Sequence, residues 1–189
     1  SLTEALAHSY NLWLVFSSYA VSVFAAYTSF QLLERVIAAP NRLARLNWLV
    51  TGSVSMGCGI WSMHFLAMLA VEMNHEVRYD PALTVLSAVF AMLASGFAFN
   101  YVSKGKTRIF RLVLAGTVLG AGIGAMHYTG MMAMRVNVAI RYDPILFGAS
   151  IVIAASLATL ALRLMFFANA TGATSKTLLL AATAAVMGL

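Results

Sequence analysis

Apolar residues fall in long uninterrupted runs rather than at the spacing of a soluble amphipathic helix. The first run extends from Asn11 to about Leu33, and the second from about Leu46 to Val71. The third covers Ala82 to about Val102, the fourth Leu112 to about Met134, and the fifth Ile145 to about Phe167. Each holds about the 20 residues that a helix needs to cross a bilayer. A sixth run starts at Thr177 and stops at Leu189, at 13 residues. At 1.5 Å per residue it rises roughly 20 Å, short of the roughly 30 Å hydrocarbon layer. The pattern predicts an all-α integral membrane protein of about six transmembrane helices, the sixth truncated. In lipid a helix satisfies its own backbone, which a loop or an open strand does not.

Composition agrees with the pattern. Of the 189 residues, 61% are hydrophobic and 10% are charged, where a soluble domain carries about 25% charged residues. The net charge of +6 would in a soluble protein raise the question of nucleic acid. Here the basic residues occupy short loops, so they are read as an orientation signal and no nucleic-acid partner is expected. Residues 35–45, 104–111 and 163–176 hold Arg35, Arg42, Arg45, Lys104, Lys106, Arg108, Arg111, Arg163 and Lys176. The opposite side holds Arg78, Arg135 and Arg141, offset by Glu4, Glu72, Glu76, Asp80 and Asp143. Nine basic residues against three place the basic loops in the cytoplasm and the N-terminus outside. No cleavable signal peptide is expected, because the N-terminal stretch lacks a basic start and its apolar run is too long. The single cysteine, Cys58, lies within the second run and reads as a small buried hydrophobe.

An internal repeat reorganises this list of spans. Met56 to Met68 aligns with Leu119 to Met131 at an offset of 63 residues without a gap, and Arg78-Tyr79-Asp80-Pro81 aligns with Arg141-Tyr142-Asp143-Pro144. The unit is a pair of helices, so the copies are parallel and equivalent residues share one depth and one side. On the fourth run Gly116, Gly120, Gly124, His127 and Met131 follow one stripe. On the second, Ser53, Gly57, His64 and Met68 do the same, with Trp61 in place of a small residue. Small residues at this spacing let membrane helices approach closely. His64 and His127 are therefore expected at helix interfaces near the outer ends of their helices.

Histidine inside a membrane helix is costly and invites a functional reading. Imidazole and thioether are soft to borderline ligands, and thioether favours Cu(I). His64 with Met68, and His127 with Met131, each offer N and S donors on one face, and His8 lies just before the first run on the same outer side. A haem between two histidines is the alternative cofactor, and a structural hydrogen bond to a neighbouring helix is the plain one. Met63, Met126, Met132 and Met134 read as packing, and His75, beside Glu72 and Glu76, reads as a solvated loop residue. Cys58 lies six residues before His64, roughly 9 Å along the axis and outside one coordination sphere. The chain shows no nucleophile–base pair and no phosphate-binding loop, which argues against an enzyme. A transport or ion-conducting protein is the rival class, since repeated units also build transporters.

Through Ala125-Met126-His127-Tyr128-Thr129-Gly130-Met131, the chain resembles the MHYT family of bacterial integral-membrane sensor domains. The likeness extends over essentially the whole chain. The first motif departs from it, with Phe65 and Leu66 where the family has Tyr and Thr. The resemblance implies one sensor domain over residues 1–189, ending before a third motif, in the bacterial cytoplasmic (inner) membrane with its motifs on the periplasmic side. It implies copper and a response to a diatomic gas (O2, CO or NO) or to redox state. It transfers the ligand role to His64 and His127, and after them to Met63, Met126, Met68, Met131 and His8. It also implies an attached cytoplasmic domain for cyclic-di-GMP turnover, itself outside this chain. A homodimer is compatible with it.

Overall fold

The computed structural model describes residues 12–70, 78–104, 108–135 and 144–170. Among these are five helices: α1 (Leu12–Ile37), α2 (Arg42–Ala70), α3 (Pro81–Val102), α4 (Ile109–Ala133) and α5 (Pro144–Ala170). Two short strands, β1 (Arg78–Tyr79) and β2 (Met134–Arg135), pair antiparallel. The sixth run lies outside the described residues. Helices α1, α3 and α4 are each long and apolar enough to cross a membrane. Large side chains on their outer faces, such as Phe16, Phe24, Leu93 and Phe110, are exposed, as expected of surfaces whose solvent is lipid.

Helices α1, α2, α4 and α5 extend a few residues past the apolar runs at their basic ends. Helix α2 begins at Arg42 rather than Leu46, because Asn41 caps it: its Oδ1 accepts from the Ala44 amide at 2.8 Å and its carbonyl from the Arg45 amide. A cap of this kind satisfies an otherwise orphaned first-turn donor. Helix α3 starts on the same logic. Asp80 Oδ1 accepts from the amides of Ala82 and Leu83, and Pro81 occupies the first helical position, where its missing N–H costs nothing. Hydropathy marks the hydrocarbon-facing part of a helix, whereas its hydrogen bonds continue into the charged flank.

Each helix packs along its neighbour in sequence, and α2 also touches α4 over a short stretch. Small residues set the close approaches. A Cβ on Gly57 would lie 2.5 Å from Met92 Cα in α3, and one on Gly59 would lie 2.7 Å from Ala25 Cβ in α1. One on Gly96 would lie 2.5 Å from Ser53 Oγ. The α2 stripe of Ser53, Gly57 and Trp61 thus meets Gly96, Met92 and Ser87 in turn, in antiparallel register. The α4 stripe divides instead. Gly116 faces Thr159 of α5, whereas nothing lies within 4 Å of where a Cβ on Gly124 would be. The stripe read as one interface therefore serves α5 at one end and leaves room beside His127 at the other. Between the helices, Leu33, Met56, Ile60, Ala91, Phe99, Leu119 and Met126 belong to one buried cluster.

These clearances predict opposite effects for two glycines. Gly57→Leu overpacks the α2–α3 contact and should cost about 1–3 kcal/mol. Gly124→Ala meets no atom and should be neutral or stabilise by up to about 1 kcal/mol through helix propensity. Thermal unfolding of the two variants in detergent reads the contrast.

Candidate metal centre

The two motif histidines meet. Nδ1 of His127 lies 3.1 Å from Nε2 of His64, and the rings stand edge to face, centroids 4.7 Å apart. Equal depth in parallel repeats makes the contact possible, and the approach of α2 to α4 makes it. Both rings are partly buried. Between neutral rings one imidazole supplies the N–H and the other the lone pair, so the pair makes a single hydrogen bond that shares one proton. The repeat-equivalent residues use different nitrogens. This leaves Nδ1 of His64 and Nε2 of His127 outside the contact.

Three neighbours hold His64 in place. Ser18 Oγ in α1 donates to the Met63 carbonyl at 3.0 Å, fixing α1 to the turn that carries His64. Trp61 Nε1 donates to Ser87 Oγ at 3.1 Å, and Ser87 Oγ donates to the Thr84 carbonyl, which ties α2 to the start of α3. Phe65 stacks obliquely on Trp61 at 4.8 Å, meets His64 edge-on at 5.9 Å and lies 5.7 Å from Tyr79. Across from it sits Gly130, where a Cβ would come within 3.4 Å of the Phe65 ring. Phe65 therefore departs from the motif but fills space against the glycine of the other motif. His127 has Tyr128 beside it, ring centroids 5.2 Å apart.

The β1–β2 pairing closes this end of the bundle. Arg78 is opposite Arg135 and Tyr79 opposite Met134, and the Asp80 amide donates to the Ala133 carbonyl at 2.8 Å. The segment entering α3 is thereby bonded to the segment leaving α4, a few residues beyond His127. Burial pushes the Tyr79 phenol above its ordinary value, so it stays neutral at physiological pH.

The remaining candidates are placed less closely. Met63, Met68 and Met131 are partly buried, with Met68 and Met131 one turn beyond His64 and His127. Met126 is 1% exposed and belongs to the apolar core, a packing position. His8 lies outside the described residues, as does His75. Among the described residues no three His, Cys, Asp or Glu side chains gather in one place, so any ion here would take two imidazoles and find its other ligands elsewhere. Ser18 and Ser87 are the contributors that residue spacing does not reveal. A hydroxyl on another helix has no sequence period linking it to His64, whereas Phe65 follows His64 directly and the Asp80-Pro81 cap is legible and recurs as Asp143-Pro144.

A serial helical bundle with long apolar spans and paired histidines from two repeats defines a membrane domain with a candidate small-ligand site. Two segments, residues 57–115 and 120–183, match the MHYT model, described as a bacterial signalling protein N-terminal repeat. Their starts are separated by the same 63 residues as the internal repeat. The chain belongs to the MHYT family. It is 43% identical over 161 residues to the bifunctional diguanylate cyclase/cyclic di-GMP phosphodiesterase MucR of Pseudomonas aeruginosa, covering 85% of this chain and 23% of that protein. It is 37% identical to the signaling protein YkoW of Bacillus subtilis, over 84% of this chain and 20% of the relative. The cyclic di-GMP phosphodiesterase NbdA of P. aeruginosa is 36% identical over 82% of this chain and 19% of its own length. The chain thus spans about a fifth of these relatives. No solved structure matches it significantly.

The contact predicts energetic coupling between the repeats. In a double-mutant cycle of His64→Ala and His127→Ala on metal-free protein, the two losses of stability should be non-additive by about 0.5–1.5 kcal/mol, the net worth of one hydrogen bond. Strict additivity would mean the rings do not meet in the folded protein.

Proposed function

We propose that this chain is the membrane-embedded input domain of a signalling protein, and that His64 and His127 jointly hold a copper ion. The observation that supports this is the 3.1 Å separation of the two ring nitrogens. Two nitrogens each about 2.0–2.1 Å from a tetrahedral ion lie about 3.3 Å apart, so an ion could replace the shared proton with little movement. Two imidazoles on opposite faces of a haem iron would sit roughly 4 Å apart, twice a metal–nitrogen bond, with the macrocycle between them. The edge-to-face rings favour the small ion.

Met68 and Met131 are the thioether donors best placed by sequence to add to the set, followed by His8, Met63 and Met126. A mixed imidazole and thioether set suits Cu(I). Copper bound there would supply an ion able to change oxidation state or take a diatomic ligand such as O2, CO or NO. What the chain itself supplies is a linkage. His64 belongs to α2 and His127 to α4, two helices that share little other contact while α3 grips both. A change at the pair therefore acts on the spacing of α2 and α4, and rigid helices carry that spacing to the basic end of the bundle. By the charge of the loops the site faces the periplasm and the basic end the cytoplasm. There, by analogy with the relatives, a signalling domain that makes or degrades cyclic di-GMP would receive the change.

Metal analysis tests this. Wild-type protein purified from copper-supplemented cells should retain copper through dialysis, and the His64→Ala/His127→Ala double variant should not. X-ray absorption of the wild type should show nitrogen and sulfur scatterers, the sulfur falling in Met68→Leu/Met131→Leu. Equal copper in wild type and double variant would sink the site.

A further inference from the structure

The end of the bundle opposite the histidines carries a feature of its own. A groove of about 550 Å³ runs along α2 beside α3. It is lined by the polar side chains of Arg42, Arg45, Asn100 and Ser53 and the apolar ones of Leu46, Leu49 and Val50. At Ser53, Gly96 brings α3 hard against α2. The lining positions on α2 are spaced three and four apart, so they form one helix face. Leu46 and Val50 are each 55% exposed, which leaves the apolar part of the lining open to whatever surrounds the protein.

Two guanidinium groups at one end of an apolar channel make a polarised site. Arg45 is held in position by neutral groups: its guanidinium donates to Ser103 Oγ at 2.5 Å and to Asn100 Oδ1 at 3.4 Å. These bonds orient the cation and leave its charge uncancelled by the partners that hold it. Arg45 precedes His64 by 19 residues, which in a helix is roughly 28 Å and close to the roughly 30 Å thickness of the hydrocarbon layer. With the histidines near one interface, Arg45 lies at the other. Aromatic–cation contacts mark the same level, with Arg35 over Trp48 at 4.6 Å and Arg111 over Tyr101 at 5.8 Å. Trp and Tyr concentrate at membrane interfaces.

The geometry points to a binding site for one anionic phospholipid. The headgroup phosphate is taken by Arg42 and Arg45, with Asn100 beside them, and an acyl chain lies along Leu46, Leu49 and Val50. Charge complementarity selects the headgroup, since guanidinium forks match phosphate oxygens, and basic pockets between membrane helices hold anionic headgroups elsewhere. The apolar part of the lining selects a lipid over a free phosphate. The site rests on the membrane reading of the chain but not on what His64 and His127 bind. A failed copper assay and a failed lipid assay are therefore separate results.

Native mass spectrometry of the full chain released from vesicles of equimolar phosphatidylglycerol and phosphatidylcholine tests it. Wild type should keep phosphatidylglycerol adducts in preference to phosphatidylcholine. Arg42→Gln/Arg45→Gln should lower that preference about ten- to thirty-fold, the worth of two basic side chains at an anionic surface. Arg42→Gln alone, which leaves the bonds of Arg45 intact, should lower it several-fold with an unchanged melting temperature. Equal retention of the two lipids by wild type, or an unchanged preference in Arg42→Gln, would overturn the site. Displacement of the adduct by inorganic phosphate would overturn its assignment to a lipid.

Discussion

A ring nitrogen buried between apolar helices is costly unless it finds a hydrogen-bond partner within the protein. The described residues answer that constraint once, at the contact of His64 with His127. Much of the surrounding architecture serves it. Ser18 and Ser87 bind the turn leading into His64 to α1 and α3, and Phe65 fills the space against Gly130. The β1–β2 pairing joins the segments just beyond. Removing one imidazole would leave the other buried without its partner, which is why the two residues act as one unit.

The strength of the other contacts decides what that unit can do. Helix α3 packs closely against α2 through Gly57 and Gly96 and against α4 through Gly122. It lies between the two histidine-bearing helices and packs closely on both. Helices α2 and α4 themselves meet over a short stretch. On the proposed reading, a change in what the histidines share would fall on this short contact between α2 and α4. Close packing elsewhere would turn such a change into a rigid displacement of helices, because a densely packed interior does not absorb strain locally.

The two ends of the bundle differ in chemistry as sharply as their loops do in charge. One end collects imidazoles, thioethers and a backbone bridge with few cations. The other collects guanidinium groups, aromatic rings and an open apolar groove. Both features include side chains of α2, Arg45 and His64, roughly 28 Å apart along the helix. An event at either end thus acts on the same helix.

Much of this was legible in the order of residues. Apolar runs located the five described helices to within a few residues. The ungapped 63-residue offset put His64 and His127 at one depth, and Asp80-Pro81 announced the start of α3. Periodicity has this reach because helix formation and membrane insertion are local: they depend on a run of side chains and on hydrogen bonds four residues apart. What only the tertiary structure decided is which faces touch. It divided the α4 glycine stripe between α5 and open space, sent Met126 into the core, and brought in Ser18 and Ser87 from other helices. It also paired Nε2 of one histidine with Nδ1 of the other, although the repeat makes the two residues equivalent. Those outcomes depend on helix rotation and separation, which are set by the mutual fit of several surfaces at once. No single segment carries that information.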